Sequence, residues 1–490
     1  MSTTHINSPT SILRFGHARG DTTPPVGIYH RMWGAARHDA ATGIHRPIQA
    51  DVVVLEPISG LSEDRVLRLQ LDFVGLSNEQ TDRLVANLAD GSGTSSDRIL
   101  VTHSHSHSSG NYAPNRRSLP GGNLIESFLD ELNAKVIEIA NKAMDSLADA
   151  TITYAVGRCD MAANRDYWDE ENGIYVTGFN PDRTADDTVL VGRVADPDDN
   201  IRLVIVSYGC HPTTLAWDNT LVSPDYVGAL RDVVEQNIGA PCCFFQAPSG
   251  DLGPRDGFVG DVDVADRNGK QVGHAALSAL YRMGAPTTDF DYAGPVVSGA
   301  TIGTWNWEKQ GKNRLEETSV FRGGSFKVGL SLIELPTLDS LQTDLSRYTG
   351  EQAEADARGN VIEARDLGAR AERCRRWMGR LELLPAGEAF PYRFSVYQFG
   401  DAVWVTCSAE PYSWLQVELR RRFPDLTLLV SSLAGDTQVA YLLPREDYGK
   451  GLYQEEPSSL AAGCLEVLAD AITHRIEEVT GFSSNRGGQR

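Results

Sequence analysis

The stretch RILVTHSHSHSSGNY (residues 98–112) joins a short apolar run to three histidines, His103, His105 and His107, spaced two apart. A short apolar run bounded by turn residues predicts a buried strand. If the strand continues through the histidines, their imidazoles project from one face of it. Because neutral imidazole is a common zinc ligand, the stretch predicts a metal-binding site at a strand end.

Similar apolar runs recur along the chain and alternate with helical patterns such as residues 123–148. This alternation predicts a mixed α/β fold, with mixed β-sheets flanked by helices in one large domain over residues 1–482 and a frayed tail over residues 483–490. Residues 349–380 are charged at helical spacing and predict a surface helix or helical pair with a solvated face. The other predicted strands are residues 51–55, 201–207, 242–245 and 402–407, the last leading into a helix near Glu410.

The composition excludes several classes of partner. The 490 residues carry 45 basic and 66 acidic side chains, a formal charge of −21. The negative electrostatic field of such a charge repels nucleic acid. No apolar run is long enough for stable insertion in a membrane. The N-terminus shows no secretory signal, and the seven cysteines lack CxxC spacing. The sequence therefore predicts a cytoplasmic protein with a small-molecule or lipid-like substrate, and it leaves a homo-oligomer open.

Two further predicted strands are followed by segments with polar residues. His211 follows an apolar run in IVSYGCHPTT, and a polar loop that runs into a helix comes after it. The run CCFF leads into a turn that contains Gly250 and Asp251. Loops at strand ends commonly carry ligands and catalytic groups in α/β proteins. We therefore take His211 as a candidate metal ligand and Asp251 as a candidate catalytic residue.

Together these segments resemble the catalytic domain of the neutral (non-lysosomal) ceramidase family, and the likeness extends over nearly the whole chain. The first histidine motif of the family is similar to residues 105–108, although a register that starts at His103 stays open. The spacing of seven between Tyr441 and Tyr448 also matches the family. The remaining similar segments are residues 16–27, 43–56, 164–165, 180–193, 211–213, 218–228, 408–411 and 441–448.

The resemblance implies one zinc ion per chain and a set of residues around it. The implied ligands are His105, His211, Glu410 and Tyr441. Two nitrogen and two oxygen donors suit zinc, and a water molecule bound to zinc ionises near neutral pH. The resemblance further implies that His107 and Arg165 act on the reacting carbonyl, and that Asn164 and Tyr448 bind substrate.

The chain departs from the family at the position of the serine assigned as nucleophile. In the family the turn reads GDxSP, whereas here Gly253 stands at the serine position. Glycine has no side chain to attack a carbonyl, so the sequence predicts metal-bound water as the nucleophile, with His107 as acid or base. A second expected departure is that the C-terminal immunoglobulin-like domain of the secreted members is missing.

We therefore expect a zinc-dependent hydrolase that cleaves an amide or related bond in a soluble substrate. Three alternatives stay open at this point. The chain could be a true ceramidase acting on lipids, or a hydrolase of an ester, lactone or glycosidic bond. It could also be a binding protein that kept the metal scaffold but lost catalysis, because glycine replaces the family's serine at position 253.

Overall fold

The computed structural model describes residues 3–435 and 438–485. Residues 483–485 form no helix or strand, and the rest of the predicted tail, residues 486–490, lies outside the described residues. After the last helix, the described residues form no further sandwich of sheets. The division into one domain over residues 1–482 stays a prediction.

The described residues form 23 strands and nine α-helices. The strands are β1 His5–Ile6, β2 Thr10–Asp21, β3 Gly43–Ile44, β4 Gln49–Glu56, β5 Val66–Leu71, β6 Ile99–His103, β7 Ala148–Arg158, β8 Ala162–Asn164, β9 Asp166–Asp169, β10 Ile174–Thr177, β11 Thr188–Ala195, β12 Ile201–Tyr208, β13 Leu221–Val222, β14 Cys242–Gln246, β15 Leu252–Pro254, β16 Thr288–Ser298, β17 Ala300–Lys309, β18 Phe321–Ser331, β19 Ala389–Phe399, β20 Ala402–Cys407, β21 Glu410–Pro411, β22 Thr427–Ser431 and β23 Tyr441–Leu442. The helices are α1 Asn78–Ser92, α2 Ile125–Asp145, α3 Tyr226–Ile238, α4 Val262–Tyr281, α5 Lys312–Glu317, α6 Leu338–Ala357, α7 Val361–Leu383, α8 Trp414–Arg422 and α9 Cys464–Thr480.

The main sheet has eight strands in the order β14-β12-β11-β7-β2-β4-β5-β6. Its outer pairs, β12 with β14 and β5 with β6, are parallel, and the other pairs are antiparallel. Strand β2 joins the two halves, because residues 10–15 pair with β7 while residues 14–21 pair with β4. All five strands predicted from apolar runs are confirmed, and four of them lie in this sheet.

The two edges of the main sheet approach each other. The guanidinium of Arg68 on β5 lies 3.5 Å from the ring centroid of Phe245 on β14. Residues 432–435 connect these edges: Ser432 N donates to the Gln246 carbonyl at 2.9 Å, and Gly435 N donates to the Val101 carbonyl at 2.8 Å. The loops that follow β6, β12 and β14 therefore meet, although they are far apart in sequence.

A second sheet, in the order β18-β19-β20-β22, packs against the main one across a shared apolar layer. Helices cover the outer faces: α1 and α2 on β4, β5 and β6, α3 and α4 on β11, β12 and β14, and α8 and α9 on the second sheet. Each fully buried Leu, Ile or Phe side chain contributes roughly 1.5–3 kcal/mol. The layer between the sheets includes Phe15, Ile152, Phe245, Phe399 and Trp404. The mixed α/β prediction is confirmed.

Two local predictions are wrong. Strand β6 ends at His103, because the chain turns at His105, which has a φ of 71°; His105 and His107 therefore do not continue a strand face. The helix predicted near Glu410 begins only at Trp414. Instead, Glu410 N donates to the Ala440 carbonyl at 2.9 Å, so this segment pairs with β23 as a short strand.

The charged segment forms the predicted helical pair, α6 and α7, which we call the helical arch (residues 338–383). Its second helix is not simply a solvated surface. Glu372 is buried in an ion pair with Arg116, and Trp377 Nε1 donates to Glu456. The arch thus rests on the body of the protein through α7.

All seven cysteines are buried and free. None of the helices within residues 3–435 and 438–485 combines the length and the apolar character that a membrane span requires.

Candidate metal centre

The predicted metal ligands come from four segments of the chain and lie close together. His105 lies just beyond β6, and His211 lies just beyond β12. Glu410 and Tyr441 are register partners in the short parallel pair of β21 and β23. The backbone pairing holds these two side chains next to each other, and the meeting of the sheet edges brings the two histidines to them.

The donor atoms of these residues converge. His211 Nε2 lies 2.9 Å from Glu410 Oε2 and 3.4 Å from the Tyr441 hydroxyl. His105 Nε2 lies 3.4 Å from the same Glu410 oxygen. Ligands about 2.0–2.1 Å from a tetrahedral ion are separated from one another by roughly 3.3 Å. The spacing of the four donors therefore fits a single metal ion.

Backbone carbonyls fix the orientation of both ligand imidazoles. His105 Nδ1 donates to the Val74 carbonyl at 2.5 Å, and His211 Nδ1 donates to the Ser249 carbonyl at 2.7 Å. With Nδ1 protonated, each Nε2 presents a lone pair to the centre. His105 Nε2 is buried without a hydrogen-bond partner among the described residues. A buried ring nitrogen without a hydrogen-bond partner is available to ligate a metal, so the donor set fits a divalent cation such as zinc.

Backbone strain is concentrated at the same place. His105 itself, Ala409 before Glu410 and Ala440 before Tyr441 have φ values of 71°, 55° and 55°. A residue other than glycine costs of the order of 1–3 kcal/mol in the left-handed region, and such residues cluster at functional sites. These three backbone conformations are therefore energetically unfavourable, and they set the orientation of the His105, Glu410 and Tyr441 side chains.

The protonation states suit metal binding. Burial, followed by Arg165, lowers the pKa of His211 to about 4. Burial also lowers the pKa of His107 well below its ordinary value, and His105 and His211 add to this effect. Burial alone would raise the pKa of Glu410, but His105 and His211 hold it well below its usual range. At neutral pH the centre consequently offers neutral imidazoles at His211 and His107 and an ionised carboxylate at Glu410.

Arg165 is fixed beside the centre. Its Nη2 donates to the Gly250 carbonyl at 2.7 Å and to the Tyr441 hydroxyl at 3.2 Å. Burial would lower the pKa of Arg165, but Tyr441, Asp166 and Glu410 raise it above its ordinary value. The guanidinium is therefore a permanent positive charge in contact with a predicted ligand.

His107 lies beside the two ligand histidines. The ring nitrogens of His105, His107 and His211 that could hold an ion lie within 4.8 Å of one another. His107 Nε2 is buried and has no hydrogen-bond partner among the described residues. The His107 ring also lies 5.3 Å from the ring of Trp33. This imidazole can accept or donate a proton next to a bound ion.

The alternative first ligand, His103, lies outside this cluster. Its Nδ1 donates to the carbonyl of Leu433 at 3.1 Å, within the segment that joins the sheet edges. The geometry groups His105, and not His103, with His107 and His211. We therefore retain His105 as the proposed ligand.

The turn at residues 250–254 contains Asp251, which the sequence predicts to be a catalytic residue. Both carboxylate oxygens of Asp251 accept hydrogen bonds from Ser413, from its backbone N at 2.6 Å and from its hydroxyl at 2.8 Å. The Asp251 carbonyl accepts from Arg165 N at 2.9 Å. Asp251 thus ties the turn to the start of α8 and to Arg165, which is a positioning role. Gly253 pairs with Ala163 of β8.

The two residues expected to bind substrate have different surroundings. Asn164 is buried, and its Nδ2 has no hydrogen-bond partner among the described residues, so it is a candidate donor to a ligand. The Tyr448 hydroxyl instead donates to the Leu460 carbonyl at 3.1 Å. Burial raises the pKa of Tyr448 to about 12. Tyr453, whose ring lies 6.0 Å from that of Tyr441 and which is 43% exposed, is better placed to meet a substrate.

The sequence did not indicate the aromatic rim of the centre. Trp33 lies 6.1 Å from Trp217 and 5.8 Å from Phe258 in edge-to-face contacts, and it also packs on His107. These residues come from three loops, and aromatic residues in loops carry no periodic signal. A cavity of about 500 Å³ adjoins Trp217 and reaches the first turn of α7 at Val361 and Ile362.

The chain thus combines a four-layer α/β architecture with a buried cluster of three histidines, one carboxylate and one tyrosine that could hold a metal ion. Two solved structures share the fold. One is described as a ceramidase complexed with C2: it is 15% identical, with a TM-score of 0.63, over 99% of this chain and 77% of that one. The other is neutral ceramidase from Pseudomonas aeruginosa: it is 17% identical, with a TM-score of 0.63, over 97% of this chain and 75% of that one.

No family model and no curated protein matches the chain. At identities of 15% and 17%, the structural likeness establishes the fold. The chain therefore has the fold of the neutral ceramidases over nearly its whole length, and the resemblance carried by the sequence motifs is confirmed at that level.

Proposed function

We propose that the protein is a zinc-dependent hydrolase that cleaves an amide bond with water as the nucleophile. The observation that carries the proposal is the convergence of His105, His211, Glu410 and Tyr441 next to an orphaned His107 nitrogen. The seven free, buried cysteines favour a reducing compartment, so we place the protein in the cytoplasm.

When bound, a zinc ion would polarise a carbonyl and lower the pKa of a water molecule. His107 Nε2 would take the proton of the attacking water and return it to the leaving amine. Arg165 would face the oxygen on which negative charge develops. Asn164 Nδ2, which is buried without a partner among the described residues, would orient the substrate carbonyl. The aromatic rim of Trp33, Trp217 and Phe258 would exclude bulk water.

A second candidate is ceramidase-type hydrolysis of a lipid amide. It is favoured by the names of the two solved structures, both of which are ceramidases. The two candidates share the bond and the centre, and they differ in the substrate.

The first prediction concerns metal and substrate together. Protein purified without added metal is expected to contain about one zinc per chain, because four donors converge on one point. Hydrolysis of N-acyl anilides or of a short-chain fluorescent ceramide should disappear with a chelator and return with zinc. Elemental analysis measures the zinc content per chain, and product chromatography measures the hydrolysis. Less than half an equivalent of zinc with full activity would contradict the proposal, and preference for the ceramide would select the second candidate.

The second prediction concerns Gly253. A Cβ at this position would lie 3.6 Å from Arg165 Cδ and 3.9 Å from the Thr213 hydroxyl, so a Gly253→Ser variant should fold. If water is the nucleophile, turnover in this variant should stay within about tenfold of the unmodified protein and of the Gly253→Ala control, without a burst of product. Stopped-flow kinetics measures the burst. A serine-specific burst with a gain above about a hundredfold would show that a side-chain nucleophile is the better solution in this site.

A further inference from the structure

Helix α7 of the helical arch contacts two segments that border the candidate metal centre. Toward one side, Arg376 Nη2 on α7 donates to the Met32 carbonyl at 2.5 Å, next to Trp33 of the aromatic rim. Toward the other side, Arg380 Nε donates to the Gln438 carbonyl at 2.7 Å, three residues before Tyr441. Helix α7 therefore connects the two segments that border the centre.

Arg380 differs from the neighbouring arginines of α7. Arg373, Arg375 and Arg376 lie 3.3, 3.8 and 3.1 Å from carboxylate oxygens of Glu456 or Glu372. Arg380 has no carboxylate within 4.0 Å among residues 3–435 and 438–485, and only its Nε has a hydrogen-bond acceptor there. Its guanidinium packs on the Trp377 ring at 4.8 Å from the ring centroid. The packing fixes the cation while its two Nη groups stay available.

The electrostatic surroundings connect Arg380 to the centre. Burial lowers the pKa of Arg380, while Glu456, Tyr453 and Glu410 act in the opposite direction. Because Glu410 is a proposed metal ligand, its effect on the Arg380 pKa is an electrostatic interaction between Arg380 and the centre. A half-buried guanidinium without an ion-pair partner is stabilised by an anion that reaches it, most effectively by a planar group that accepts two hydrogen bonds.

With a divalent cation bound, the centre would be locally positive although the chain carries a formal charge of −21. The cation, Arg165 and Arg380 would together outweigh the carboxylates of Glu410, Asp166 and Glu456, and of these Asp166 already accepts hydrogen bonds from Gln454 and Tyr412 while Glu456 is engaged by Arg373 and Trp377. A cleft with one sign of charge attracts ligands of the opposite sign. This balance favours an anionic substrate over a neutral one.

We propose that the substrate is an N-acyl amide with an anionic oxygen group, and that Arg380 binds this group while the amide lies at the metal centre. The inference rests on the proposed hydrolase function and narrows it to a substrate class. An uncharged ceramide would leave the Arg380 guanidinium without a partner.

The test compares three amides that share one acyl chain: N-dodecanoylglycine, with a carboxylate, N-dodecanoyltaurine, with a sulfonate, and the neutral N-dodecanoylethanolamine. Each is assayed with the zinc-loaded full-length protein and with its Arg380→Gln and Arg375→Gln variants. Arg375 is the matched control, because it lies on the same helix and pairs with Glu372. Calorimetric titration with N-dodecanoylglycine gives a binding readout that needs no turnover.

We expect the unmodified protein to prefer one or both anionic amides in kcat/KM by roughly tenfold to hundredfold, as for a charged hydrogen bond. Arg380→Gln should abolish this preference, through a higher KM for the anionic amides, whereas Arg375→Gln should retain it. A loss for the glycine conjugate alone would identify a carboxylate, and a loss for both conjugates any anionic oxygen group.

Equal rates on charged and neutral amides, or an equal effect of both variants, would overturn the inference and leave the hydrolase proposal standing. If no amide is cleaved, the hydrolase proposal fails, and calorimetry then decides the inference. Binding of N-dodecanoylglycine about tenfold weaker in Arg380→Gln than in Arg375→Gln would support it, and equal binding would overturn it.

Discussion

Replacing His211 by alanine is expected to remove bound zinc and amide hydrolysis together. His211 is central to the donor set, since its Nε2 lies 2.9 Å from Glu410 and 3.4 Å from Tyr441. An ion supplies several kcal/mol of stabilisation to the transition state, so its loss should lower kcat/KM by about a thousandfold or more. Zinc content per chain and kcat/KM on one amide measure the two effects.

The matched control is His103→Gln, which changes a histidine two residues from the proposed ligand His105. Because His103 lies outside the cluster of ring nitrogens, this variant should retain its zinc. Thermal unfolding of both variants separates loss of metal from loss of fold. Loss of zinc in His103→Gln but not in His105→Ala would reverse the assignment of the first ligand.

Replacing His107 by alanine should leave zinc bound and reduce kcat by about a hundredfold to ten-thousandfold, the usual contribution of a positioned acid or base. His107 Nε2 has no partner among the described residues, and the four proposed ligands do not include it. The measurement is a kcat determination on protein with a confirmed zinc content.

The aromatic rim supplies the control for this variant. Trp33→Phe preserves a ring near His107 and should keep kcat within about tenfold, because the indole N–H that it removes is neither an acid nor a base near neutral pH. If His107→Ala retains kcat within tenfold while zinc stays bound, His107 is not the acid or base. Loss of zinc in that variant would instead make His107 a ligand.

Much of the architecture can be read from the sequence because it depends on local patterns. Apolar runs bounded by turn residues predicted strands β4, β6, β12, β14 and β20, and helical periodicity predicted α2 and the helical arch. The order of the motifs predicted which residues belong to one centre, and the structure brings His105, His211, Glu410 and Tyr441 together.

The remaining features depend on tertiary contacts. The left-handed turn at His105 interrupts the alternation that the sequence indicates. Strand β21 at Glu410 exists only because its partner β23 comes from a segment about thirty residues later. Arg380 is one of many charged residues in a helical pattern, and only the position of α7 distinguishes it. The two hydrogen bonds that Asp251 accepts from Ser413 likewise join segments far apart in sequence, and no local pattern indicates them.

The sequence separation of the proposed ligands has a consequence for biosynthesis. His105 and Tyr441 are more than three hundred residues apart, and Tyr441 reaches the centre only through pairing with β21. A chain still being synthesised therefore lacks the complete donor set until Tyr441 has left the ribosome. Metal loading would be a late step that follows long-range strand pairing, which is the slow part of folding. The bound ion would then stabilise the finished chain as a whole by mass action, and no fragment of it would gain the same protection.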